Sequence, residues 1–305
     1  MSDASAGDLL RPAAGWRARF AAMGLAIGYY VLAFACLIGA SGVLRALTGS
    51  KLTDLLQDGL ATAFLGHAAL LLALGVAPAA VLILLTRGSF PQSGWALRAW
   101  LRRLGLGALL GAGAMALLAA VLAATGALRV EIAAPSISDT LLLLAPWALL
   151  WLVQAMQEEA FARGYGFVQL SRALGFWPAA LLSSAAFAAG HLGNAGETPL
   201  GLANAALLGL GFAYSLRLTG SLWLALGFHA AWNFMQSTVF GFANSGEAAP
   251  DSLAHAALAG PQLLTGGGAG PEGGVLTTAA ALLFIVLLRL THATTAADGD
   301  AGHAV

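Results

Sequence analysis

Long apolar runs alternate along the chain with short polar connections, and each run is close to the length a helix needs to cross a bilayer. That length is about 20 mainly apolar residues. Eight stretches meet it at least approximately, near 20–44, 59–86, 104–127, 140–172, 177–192, 201–216, 221–242 and 274–290. The fifth and sixth are short, and charge interrupts the fourth. The pattern predicts an all-α fold, a polytopic transmembrane bundle of about eight spans. It divides the chain into residues 1–139, an N-terminal tail with three spans; 140–242, a core where polar residues gather; and 243–305, an outer loop, a last span and a tail. Asp3, Asp8 and Arg11 precede the first apolar run without the layout of a secretory signal, so that span is expected to stay as an anchor.

Composition sharpens this picture. Of 305 residues 59% are hydrophobic and 9% charged, against about 25% charged in a soluble domain. Such a chain cannot cover a water-facing surface. Fourteen basic and fourteen acidic side chains balance, which excludes the basic excess of a nucleic-acid binder. The single cysteine, Cys36, excludes a disulfide scaffold. Ten Arg residues fall at the chain's N-terminal side of the spans and only Arg45, Lys51 and Arg129 at the other. The positive-inside rule then puts both termini in the cytoplasm. Arg over Lys and the Ala/Gly richness point to a bacterial cytoplasmic membrane.

Two connections carry expectations of their own. Residues 87–103 read as a cytoplasmic loop with an interfacial segment, Trp95 and Trp100 sitting among headgroups. Residues 243–273, rich in Gly, Pro and Ala, read as a flexible external linker. No internal repeat of the transporter kind is visible, which disfavours a transporter.

Ionisable groups inside a span are costly, so each one marks a candidate site. Glu158, Glu159 and Arg163 stand in the fourth stretch, Phe187 and His191 in the fifth, His229 and Asn233 in the seventh. A hairpin of the fourth and fifth stretches would turn near Leu174–Pro178. Glu158 and His191 are then both about 16 residues from the turn, roughly 24 Å along a helix, and share one level. His229 and Asn233 come somewhat nearer the cytoplasm, and one pocket opening towards the cytoplasm would hold all four. His67 reads as a helix-packing residue, and Asn194, Glu197 and Asn204 as loop or flanking residues. His255, His292 and His303 make no metal site by their spacing.

Helical phase separates the roles. Glu159 and Arg163, four apart in the favourable order, predict an intrahelical ion pair. Glu158, rotated by about 100°, is left as the free carboxylate. His229 and Asn233, also four apart, share a face. A carboxylate with a histidine can take a proton from water, while a second histidine and an amide can hydrogen-bond a developing oxyanion. The chemistry suggested is water attack on a carbonyl.

These residues resemble the CPBP family, intramembrane endopeptidases that include the type II CAAX prenyl proteases and bacterial Abi proteins. Its pattern, EExxxR then FxxxH then HxxxN or HxxxD, is matched by Glu158-Glu159-Ala-Phe-Ala-Arg163, Phe187-Ala-Ala-Gly-His191 and His229-Ala-Ala-Trp-Asn233. The resemblance covers about 140–240. It implies a glutamate-dependent peptidase acting on a membrane-associated peptide or protein. Glu158 and His191 would activate water, His229 and Asn233 would form the oxyanion hole, and Glu159, Arg163 and Phe187 would support them. No cofactor is expected. Some relatives are labelled metalloproteases, and a zinc ion, if present, would take Glu158, His191 and His229. The alternative is a non-catalytic membrane scaffold or bacteriocin-immunity protein of the same family.

Overall fold

The computed structural model describes residues 8–57, 59–132, 136–247 and 251–301; Asp3 and His303 lie outside them. The chain opens with α1 (Trp16–Thr48) and the short α2 (Leu52–Gln57). Next, α3 (Leu60–Leu70) runs through a π-helical stretch, Leu71–Val76, into α4 (Ala77–Thr86), and α5 (Trp100–Ala124) follows. These helices are apolar nearly all round and expose large side chains such as Ile38 and Leu84, as hydrocarbon-facing helices do.

The middle of the chain builds the core. It comprises α6 (Ile137–Arg163), α7 (Tyr165–Leu174), α8 (Phe176–Ala189), α9 (Pro199–Thr219) and α10 (Trp223–Asn233), the last continued by a π-helical turn, Phe234–Val239. Gly164 separates α6 from α7, where a Cβ would lie 2.2 Å from the Ala160 carbonyl oxygen. Tyr29 of α1 donates its hydroxyl to that carbonyl at 3.1 Å and to Leu74 at 2.8 Å, tying three elements at the break. Nearly every residue of α10 is buried. Its backbone touches that of α5, because a Cβ at Gly107 or Gly227 would meet the carbonyl oxygen of Leu224 or Leu104 at 2.1 or 2.0 Å. Small residues thus permit the close packing that bundles in lipid use.

Beyond α10 the chain adds β2 (Ala254–Leu258), antiparallel to β1 (Leu128–Ile132), then α11 (Gln262–Thr265), a 3-10 segment Gly267–Gly273 and α12 (Val275–Ala301). Among the described residues five helical segments are long and apolar enough to cross a membrane: Trp16–Thr48, Leu60–Thr86, Trp100–Ala124, Pro199–Thr219 and Gly267–Thr291. The protein is therefore an all-α membrane bundle apart from its one two-stranded ladder. The expected count of eight spans is not reached in this way. The 14 residues of α8 and the 11 of α10 are shorter than a crossing requires, and α10 is wrapped by other helices rather than by lipid.

Two expectations need correction. Trp95 is buried, not interfacial, with its ring 5.2 Å from that of Trp223 at the start of α10. The described residues of segment 243–273, which are 243–247 and 251–273, are folded. Their glycines let backbones touch, so that a Cβ on Gly196 would lie 2.3 Å from the Gly268 oxygen and 2.8 Å from that of Gly246. Glycine there serves close approach rather than flexibility.

Candidate active site

The last turns of α6 supply the charged cluster. Arg163 Nη1 stands 3.1 Å from Glu159 Oε1, with both side chains wholly buried. This is the intrahelical pair that the spacing predicts. The guanidinium carbon also lies 4.2 Å from the centroid of the Phe187 ring on α8, a cation–π contact that places Phe187 against the pair. Arg163 Nε and Nη2 and Glu159 Oε2 find no hydrogen-bond partner among the described residues.

Glu158 faces the other way, partly open, towards His229 of α10, its Oε2 3.6 Å from His229 Nε2. The opposite edge of the same ring, Nδ1, is 3.1 Å from Glu159 Oε1. His229 thus stands between the two consecutive glutamates, and the Phe212 ring stacks on it with centroids 5.5 Å apart. One turn along α10, Asn233 donates from Nδ2 to Gln154 Oε1 at 3.0 Å, and Gln154 donates from Nε2 to Glu158 Oε1.

His191 follows the C-terminal end of α8. Its Nδ1 is 2.8 Å from the Phe187 carbonyl oxygen and its ring packs on Phe187 at 4.9 Å. A carbonyl only accepts, so Nδ1 carries the proton and Nε2 of the neutral ring is left with a lone pair. No hydrogen bond joins His191 to Glu158 among those of the described residues; the two share a cavity instead.

That cavity, about 40 Å³, is lined by Gln154, Glu158, Phe187, His191, His229 and Asn233, with Asn204, Phe212, Phe228 and Trp232 beside them. Asn244, Ser245 and Glu272 also line it, with Gly201, Ala205 and Leu208 of α9. Phe212 and Phe228, both buried, line the cavity on the side of the termini. The rim belongs to the opposite end of the bundle, where Gly196 N–H donates to the Gly246 oxygen at 3.1 Å and Asn194 to the Ser245 oxygen at 2.7 Å. Hairpin register sets His191 level with Glu158 but carries no information on the fold of the loop above them.

Glu272, Asn204 and Gln154 line the cavity from outside the motifs. Glu272 accepts from Trp232 Nε1 at 3.0 Å and from the backbone N–H and hydroxyl of Ser245, each at 2.7 Å, so it pins the covering loop to α10. Asn204, read above as a flanking residue, is buried and donates to the Glu272 and Gly274 carbonyls at 2.6 and 3.0 Å. Gln154 precedes Glu158 by one helical turn, a spacing legible in the chain, whereas nothing in the Gly-rich text marks Glu272 as buried against a tryptophan. At the rim, burial pushes the Glu197 carboxyl up, the Thr198 N–H that it accepts at 2.7 Å pulls it down, and the charge of Glu272 raises it again.

A zinc ion would need Glu158, His191 and His229 together. Among the described residues no three His, Cys, Asp or Glu side chains gather closely enough to hold a metal ion. His229 Nδ1 faces Glu159 and His191 Nδ1 faces a backbone carbonyl, which leaves Nε2 of each ring as the nitrogen an ion would meet. It is the spacing of the three side chains, not their orientation, that does not fit a metal.

Residues 140–235 match a family model described as Rce1-like, type II CAAX prenyl endopeptidase Rce1-like. This segment belongs to the Rce1-like family. All three motifs fall inside it, as do helices α7 to α10 and α6 from residue 140 onward. The family matched is one of CAAX-type membrane proteases, which are hydrolases, and the chain carries five helical segments apolar and long enough to cross a membrane among its described residues. No curated protein and no solved structure matches the chain.

Proposed function

We propose that the protein is an intramembrane endopeptidase that hydrolyses a peptide bond of a membrane-associated protein or peptide, without a metal. One observation carries the reading. Glu158, His191, His229 and Asn233 converge on a single cavity inside an apolar bundle, and the Glu159–Arg163 pair is buried behind it.

In this reading a water lies between Glu158 and the free Nε2 of His191. Glu158 takes one of its protons as the oxygen attacks the scissile carbonyl carbon. Negative charge then develops on the carbonyl oxygen, where Asn233 Nδ2–H and, with its ring protonated on both nitrogens, His229 Nε2–H donate to it. When the C–N bond breaks, the departing amine takes the proton back from Glu158. Glu159 fixes the edge of His229 through Nδ1, as an orienting carboxylate does for a catalytic imidazole. We place the protein in a bacterial cytoplasmic membrane with both termini inside, on the distribution of arginine. The cavity rim then faces outward, so the scissile bond enters from that leaflet.

The test compares the termini of membrane proteins in cells carrying the wild type and the Glu158→Gln and His191→Ala variants at equal abundance. New termini present only with the wild type support the reading. Identical termini together with an unchanged cellular phenotype in both variants would establish the non-catalytic scaffold instead.

A further inference from the structure

We propose that Gln154 is a positioning residue that couples the base, Glu158, to the oxyanion donor, Asn233. This rests on the proposed reaction. Gln154 is buried on α6, one turn before Glu158, and spans the gap between α6 and α10. Its amide makes two bonds of opposite sense: Nε2 donates to Glu158 Oε1, and Oε1 accepts from Asn233 Nδ2 at 3.0 Å.

The chemistry of the partners fixes that order. An ionised carboxylate only accepts, so the Gln154 nitrogen must face Glu158 and its oxygen must face α10. An oxygen facing Asn233 in turn requires the Asn233 nitrogen to face it. One N–H of Asn233 is used there, and the other, on the same nitrogen, is left for the cavity. The ionised state of the base thus sets the orientation of an amide on another helix through one side chain. With Gln154 absent, Asn233 could present its own carbonyl oxygen to the oxyanion, which repels it.

Gln154→Met keeps length and apolar bulk but neither bond. With a peptide taken from the terminus comparison as substrate, kcat is expected to fall about 10- to 100-fold, below the roughly 10²- to 10³-fold cost of deleting an oxyanion donor outright. KM should stay within about 2-fold, because the lost interaction is one made in the transition state. In an Asn233→Ala background the same change should cost less than about 3-fold, since residues acting as a unit are non-additive. An equal factor in both backgrounds would overturn the proposal and leave Gln154 a packing residue.

A second readout needs no substrate. In the full-length protein with asparagine side-chain amides labelled by ¹⁵N, the Asn233 amide signal should move in Gln154→Met while that of Asn204 stays in place. An unmoved Asn233 signal would sink the proposal even if cleavage is lost. If the wild type cleaves nothing but the signal moves, the coupling stands and the reaction assigned to the cavity fails.

Discussion

Glu159 and His229 meet across two helices, the carboxylate Oε1 at 3.1 Å from the ring Nδ1, and that same oxygen lies 3.1 Å from Arg163. One buried atom therefore serves both a structural ion pair and the orientation of an imidazole.

Separating those two duties gives the first prediction. Glu159→Gln strands a buried guanidinium, and losing one partner of such a pair costs about 3–5 kcal/mol. Pairing it with Arg163→Met removes the stranded charge, so the double variant should recover most of the lost melting temperature in detergent. Cleavage should stay depressed in both, because His229 keeps no carboxylate at Nδ1. A double variant as active as the wild type would show that the orientation of His229 does not matter.

The second concerns Gly209. A Cβ there would lie 2.2 Å from Arg163 Nη2, and the guanidinium cannot retreat because Phe187 lies 4.2 Å from it. Gly209→Ala should cost about 1–3 kcal/mol, the usual penalty of overpacking, measured as a lower melting temperature. Gly113→Ala, with nothing within 4 Å, should be neutral or stabilising, because Ala is the better helix former.

A third follows from the rim. Burial raises the Glu197 carboxyl, so the folded state favours its protonated form. The stability this contributes is complete below the ordinary carboxylate range and is lost as pH rises through the raised value. Glu197→Gln keeps an acceptor for the Thr198 N–H and should raise the melting temperature at neutral pH. At pH 3 to 4 the two proteins should melt alike; a gain independent of pH would point to some cause other than ionisation.

Metal removal supplies a fourth. Incubation with a chelator should leave cleavage by the purified protein unchanged. Activity lost to the chelator and restored by zinc would overturn the metal-free mechanism.

Much of this site is legible in the chain because it rests on helical phase. Spacings of four residues set Glu159 on Arg163 and put His229 and Asn233 on one face, and those relations survive any tertiary arrangement. The hairpin register similarly brought Glu158 and His191 to one cavity. What phase cannot carry is contact between helices and the folding of loops. It does not show that His229 stands beside Glu158, while His191 meets Glu158 only through the cavity. It read the covering segment as a linker because glycine signals freedom and close approach in the same letter. Trp95, taken for a headgroup anchor, packs on Trp223, since amphipathic aromatics suit a polar interface and a helix end alike. The number of crossings eluded it because a short helix sheathed by others need not be as long as the bilayer is thick.

Tyr29, whose hydroxyl closes the break after α6, and Glu272, whose carboxylate holds Trp232, lie on either side of the family-matched segment. The motifs are thus portable as text but not as a device. Grafting residues 140–235 into another membrane scaffold would carry every reactive group and leave behind the brace for the bend below Glu159 and the roof of the cavity. The smallest transplantable unit runs from the first helix to the last loop.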